Sequence, residues 1–97
     1  MLEYKKVKIM SDLKVIDFYA DWCGPCKVLT PLIEKLKDKN PDVSIEKVNV
    51  DENRDLALTF SVRSIPTVIF LKGDEEIARE VGVKQESYYQ ELIDQHK

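Results

Sequence analysis

Cys23 and Cys26 stand in the run Trp22-Cys23-Gly24-Pro25-Cys26, directly after the apolar stretch Val15-Ile16-Asp17-Phe18-Tyr19-Ala20. This juxtaposition constrains the chain more than any other feature. An apolar stretch rich in β-branched and aromatic residues reads as a buried strand. After the cysteines, Cys26, Leu29, Leu32, Ile33 and Leu36 recur at helical spacing, which predicts a helix from about Cys23 to Asn40-Pro41. The pair therefore sits where a strand hands over to a helix. Pro31 falls inside that helix, removes a backbone donor and predicts a kink.

The rest of the chain continues the alternation. Val43 to Val50 sets Val43, Ile45 and Lys47 against Ser44, Glu46 and Val48, a strand pattern. Asp51-Glu52-Asn53 offers N-cap chemistry to a short helix carrying Leu56, Ala57 and Phe60. Thr67 to Leu71 reads as a third buried strand, and Gly73-Asp74 as a hairpin turn into a partner strand, Ile77 to Val81. A final amphipathic helix spans roughly Gln85 to Gln95, with Tyr88, Tyr89, Leu92 and Ile93 as its apolar contacts. The order is β-α-β-α-β-β-α, preceded by a stretch at 1–12. That stretch reads either as a short edge strand contributing Tyr4, Val7 and Ile9 or as an irregular helix. Strand–helix alternation that ends in a hairpin implies an α/β fold, a mixed sheet with helices on both faces.

Length and charge narrow the function. A chain of 97 residues accommodates one domain, 1–97. Net charge is −3, and the small cluster Lys5, Lys6 and Lys8 reads as a solvated face, so no nucleic-acid partner is expected. Apolar runs reach about five residues, far short of the roughly 20 that span a membrane, so no membrane partner is expected. The start of the chain, Met1 to Lys6, lacks a signal peptide's apolar stretch, which points to the cytoplasm and a reducing compartment. A monomer is expected. In such a compartment a Cys-x-x-Cys pair is catalytic or metal-binding more often than structural. A structural role is weak in any case, since closing so short a loop removes little entropy from the unfolded chain. A structural zinc site needs four ligands. The chain has no third cysteine and only His96 as histidine, so no metal is assigned.

Redox chemistry suits the placement. A helix N-terminus carries partial positive charge and favours an anion such as a thiolate, the nucleophile of disulfide exchange. Cys26 lies one turn further on the same face, where it can attack a mixed disulfide formed at Cys23. Gly24 relaxes the turn, and Pro25 fixes φ in the first helical turn, where its missing N–H costs nothing. Cys23 is expected to be exposed and Cys26 mostly buried. Asp17 interrupts an apolar strand. If both sheet faces are covered, its pKa rises and it can exchange a proton with Cys26; if its face is open, it is simply solvated.

The stretch Val15 to Lys27, VIDFYADWCGPCK, resembles the active-site segment of the thioredoxin family. Pro31, Lys47, Asp51, Ile65-Pro66-Thr67 and Val81-Gly82 follow in matching order, so the resemblance covers about residues 13–95. Thioredoxin is itself the standing example of a Cys-x-x-Cys redox motif beside a strand–helix unit. The resemblance implies a thioredoxin-like fold with a shortened N-terminal segment, approaching the smaller glutaredoxin-like core. It implies that Cys23 attacks, Cys26 resolves, and the two form a redox-active disulfide. Asp17 then handles a proton with Lys47 as charge partner. Pro66 becomes a cis proline beside the disulfide, the Ile65 backbone pairs with substrate, Gly82 borders the site and Trp22 shapes its edge. Ser64 stands where family members often carry a glycine.

The implied activity is that of a dithiol electron carrier, a protein-disulfide reductase with no cofactor beyond its own cysteines. Its partners are oxidised proteins and a thioredoxin reductase. The alternatives are a glutaredoxin-like oxidoreductase recycled by glutathione and a non-catalytic binding module on the same fold.

Overall fold

Successive side chains of a strand point to opposite sides, so a continuously apolar strand is buried only if both sheet faces are covered. The computed structural model describes residues 11–97 and meets that condition. Its elements are β1 (Leu13–Tyr19), α1 (Gly24–Lys39), β2 (Ser44–Asn49), α2 (Arg54–Thr59), β3 (Thr67–Lys72), β4 (Glu75–Val81) and α3 (Glu86–His96). The edge strand or helix considered for 1–12, with Tyr4, Val7 and Ile9, falls almost wholly outside the described residues. Ser11 and Asp12 belong to no element.

The sheet order is β2-β1-β3-β4. β1 and β2 are parallel, joined through the α1 crossover that a parallel pair requires. β1–β3 and β3–β4 are antiparallel. The β3–β4 hairpin turns on Gly73-Asp74, with Gly73 at φ +61 and no positive φ at Asp74. Positive φ at the first central position alone is the sign pattern of a II′ turn, which favours glycine there.

The alternation of β1 sorts the core into two layers. Leu13 and Val15 join Val68 and Phe70 under Leu29, Ile33 and Leu36 of α1 and Tyr89 and Ile93 of α3. Ile16 and Phe18 join Val48, Ile69 and Leu71 on the opposite face, against Phe60, Val62 and Ile65. Helices thus lie on both faces, as expected. Phe60 closes the second layer with its ring 5.7 Å from that of Phe18.

Helix α1 carries Pro31 inside it, as expected. Other local expectations change. Asn53 is the N-cap of α2 but makes no side-chain capping bond. Its Nδ2 instead donates back to the Asn49 carbonyl at 3.0 Å, while Asn49 Oδ1 accepts the N–H groups of Asp51 and Glu52. The turn is organised by a buried asparagine at the strand end rather than by the cap. Leu56 and Tyr88 do not pack as core residues; both remain substantially exposed, and Tyr88 Oη donates to Glu80. Helix α2 ends in a Schellman motif, with Ser61 N–H on Leu58 O and Val62 N–H on Ala57 O, each at 2.9 Å. Ser61 therefore holds φ +55, a left-handed conformation that glycine usually takes.

Candidate active site

The site forms where β1 ends and α1 begins. Cys23 is the N-cap of α1 in extended conformation, and its Sγ accepts the Cys26 N–H at 3.2 Å. Pro25 occupies the first turn, as expected. The first turn carries no acidic side chain to oppose the helix dipole. Cys23 and Cys26 form a disulfide with Cα atoms 5.3 Å apart. The backbone does not require glycine at position 24: its φ is not positive, and a Cβ there would meet open space.

The exposure expected of Cys23 is not found in the disulfide form. Cys23 is 5% exposed and Cys26 2%. Ala20, Tyr19, Val50 and Ile65 pack around the pair and close it off. Exposure belongs instead to Trp22. Its indole N–H donates to Asp51 Oδ2 at 2.9 Å, which ties the β1–α1 loop to the end of β2.

The Ile65–Pro66 bond is cis. Cys23 Sγ lies 3.9 Å from the Ile65 carbonyl oxygen, so that loop is the neighbour of the disulfide. Gly82 reaches the same place from the end of β4: its N–H donates to Pro66 O at 2.9 Å. At φ +87 a side chain would be strained, although a Cβ would find open space. Glycine is thus required at 82 by its torsion angle and not by crowding.

Asp17 is fully buried, and neither carboxylate oxygen has a hydrogen-bond partner among the described residues. It shares a sheet face with Leu13 and Val15, the face covered by α1. Burial pushes its pKa from 3.8 to about 6, while the charge of Lys47 pulls the other way. Lys47 is the register partner of Asp17 across β1–β2. Its ammonium lies 4.8 Å from the centre of the Tyr19 ring, a cation–π placement. Lys47 and Cys26 line one cleft of about 350 Å³ with Tyr19, Asp21, Lys27 and Thr30.

A second, more apolar hollow of about 400 Å³ lies between Trp22, Val50, Ala57, Val62 and Ile65, with Arg63 and Ser64 on its lining. Among the described residues no three His, Cys, Asp or Glu side chains converge as a metal site would require. No helix there is long and apolar enough to cross a membrane.

The structure therefore brings Trp22, Cys23, Cys26, Ile65, Pro66 and Gly82 to one end of the sheet, with Asp17 and Lys47 paired in register beneath α1. Sequence reasoning missed two supports. Thr67 is buried and its hydroxyl donates to Ser64 O at 2.6 Å, bracing the cis-proline loop. Asn49, buried at the end of β2, shapes the turn that holds Asp51. A hydroxyl after Pro66 and an asparagine before Asp51 are turn signals in retrospect.

Comparison with known proteins agrees with this geometry. The Thioredoxin family model matches residues 3–95. The chain is 48% identical over 88 residues to a thioredoxin of Chlamydia pneumoniae, covering 91% of this chain and 86% of that protein. Among solved structures it superposes on a thioredoxin of Fasciola hepatica with TM-score 0.81 at 41% identity, covering 88% of this chain and 81% of that one. A thioredoxin of Nicotiana alata gives TM-score 0.83 at 41% identity, covering 88% and 73%. With a disulfide-forming Cys-x-x-Cys pair at the strand–helix junction, the chain belongs to the thioredoxin family of thiol–disulfide oxidoreductases.

Proposed function

We propose that this chain is a general protein-disulfide reductase in which Cys23 attacks and Cys26 resolves. The observation that carries the assignment of roles is the bond from the Cys26 N–H to Cys23 Sγ at the cap of α1. The reduced Cys23 sulfur inherits that donor and the positive end of the helix, both of which favour its thiolate. The thiolate attacks one sulfur of a substrate disulfide, forms a mixed disulfide and releases the other substrate sulfur as a thiolate. Cys26 then loses its proton and attacks Cys23 Sγ. The second substrate thiolate leaves, and the Cys23–Cys26 disulfide remains. Two electrons pass to the substrate.

Asp17 is the group we assign to take the Cys26 proton. A carboxyl with a pKa near 6 can accept a proton at neutral pH more readily than an ordinary carboxylate. Lys47, across the strand pair, restrains how far burial raises that value. Trp22, Ile65, Pro66 and Gly82 would form the platform on which an extended substrate segment lies, and Gly24 and Pro25 the loop between the cysteines. The disulfide is re-reduced by a thioredoxin reductase, and the working compartment is the cytoplasm, where dithiols are kept reduced.

The test is the reduction potential of the Cys23–Cys26 pair, measured by equilibration with graded dithiol buffers, quenching and alkylation. A reductant should lie near about −270 mV, the general figure for thioredoxin and not one derived from this structure. A value about 100 mV higher would assign an oxidant or isomerase instead. A coupled assay with a thioredoxin reductase, against one driven by glutathione, identifies the electron donor.

A further inference from the structure

Tyr89 is a buried polar side chain that the disulfide chemistry above does not use. It is 0% exposed and its ring stacks on Phe70, 6.5 Å between centroids. Its hydroxyl does not serve the core. It accepts the Lys84 N–H at 2.9 Å and faces the Gly82 carbonyl oxygen at 3.4 Å, to which it donates. Both partners lie in the short link between β4 and α3. The Gly82 N–H in turn donates to Pro66 O, and the preceding Ile65 carbonyl oxygen is the one 3.9 Å from Cys23 Sγ. A continuous set of bonds thus runs from a hydroxyl of α3, through the Gly82 segment, to the cis-proline loop beside the disulfide.

Among the described residues the link has little else to hold it. Gly82 sits at φ +87, and the side chains of Val81 and Val83 on either side are substantially exposed. Among the described residues, the Lys84 ammonium reaches only Val81 O, at 3.4 Å on the surface. A flexible segment beside a binding site must be ordered when substrate docks, and that ordering weakens binding. A phenylalanine at position 89 would fill the same core volume. The hydroxyl is therefore surplus to packing and is accounted for by its two partners in the link.

We propose that Tyr89 is a positioning residue that pre-orders the Gly82 segment for docking of protein disulfides. This rests on the reading of Gly82 and Pro66 as part of the substrate platform. The hydroxyl acts on binding of an extended peptide and leaves the sulfur chemistry alone. Small disulfides, which do not span the platform, do not depend on it.

The experiment compares the full chain with its Tyr89→Phe variant, using a disulfide-bonded protein and a small aromatic disulfide as alternative substrates. The expected result is a rise of about two- to tenfold in KM for the protein substrate, the range that one lost hydrogen bond supplies. The rate with the small disulfide and the reduction potential should stay unchanged. Faster amide exchange at Gly82 and Lys84 in the variant should accompany the change. An unchanged KM, an equal loss with both substrates, or unchanged exchange at the two amides would overturn the proposal. If instead the unsubstituted chain reduces the small disulfide but no protein disulfide, the platform reading itself fails, and the role of Tyr89 with it.

Discussion

Replacing Asp17 with alanine should stabilise the protein, and the gain should depend on pH in a defined direction. Asp17 is buried without a hydrogen-bond partner, and its pKa is raised from 3.8 to about 6. The native state therefore holds the proton to higher pH than the unfolded chain does. Between pH 3.8 and about 6 the native state binds more protons, so stability falls as pH rises; above about 6 the cost is complete. That cost is about 3 kcal/mol, the free-energy equivalent of the displacement. Removing the carboxyl also leaves a small cavity, but its penalty does not vary with pH. The pH-dependent part of the comparison is thus isolated. The advantage of Asp17→Ala over the parent should grow by about 2.5 kcal/mol between about pH 4 and about pH 8. The assay is urea unfolding of the oxidised proteins at a series of pH values, followed by far-ultraviolet circular dichroism. Using the disulfide forms keeps the cysteines from titrating, and surface groups such as Glu76 and Glu86 contribute equally to both proteins. A difference that stays flat with pH, or is largest in acid, would refute the account of Asp17 as a buried, unpartnered carboxylate.

Other consequences test the remaining links. Cys26→Ser should leave the attacking sulfur without a resolving partner, so substrate-bound mixed disulfides should accumulate and be visible by intact mass; Cys23→Ser should accumulate none. Ser61→Gly should stabilise by about 0.5–1 kcal/mol, because φ +55 at the Schellman position suits glycine, raising Tm by about 2–8 °C without altering the reduction potential. Asn40, 1% exposed, donates to Leu36 O and exchanges amide bonds with Gln90 across α1 and α3. Asn40→Ala should therefore cost about 1–3 kcal/mol in denaturant unfolding while disulfide reduction continues in the folded protein.

Much of the architecture was legible in the residue pattern because burial imposes periodicity. The run 15–20, the helical spacing after Cys26, the alternation of 43–50 and the Gly73-Asp74 turn each report a local constraint, and all seven elements appear in the expected order. The reactive pair was legible for a similar reason, since its spacing and its place between strand and helix lie within a few residues of sequence. The errors fell where a residue's surroundings come from afar. Cys23 reads as exposed from its motif, yet Ile65 and Val50 arrive from two other segments to cover it. Leu56 and Tyr88 carry apolar signals on helices whose inward faces belong to their neighbours.

The sequence by itself determined the β-α-β-α-β-β-α order and the place of Cys23 and Cys26 where a strand hands over to a helix. Asp17 could be read only as solvated or buried. Tertiary structure decided between them: α1 closes over that face of β1, Lys47 lies opposite in register, and burial rather than hydrogen bonding sets the carboxyl's pKa. It alone also brought the Ile65–Pro66 loop to the disulfide, because the β1–β3 pairing that sets Ile65 O beside Cys23 Sγ joins segments far apart in the chain. Local pattern encodes which way a side chain points. What it meets there depends on chain segments whose arrival no local pattern specifies.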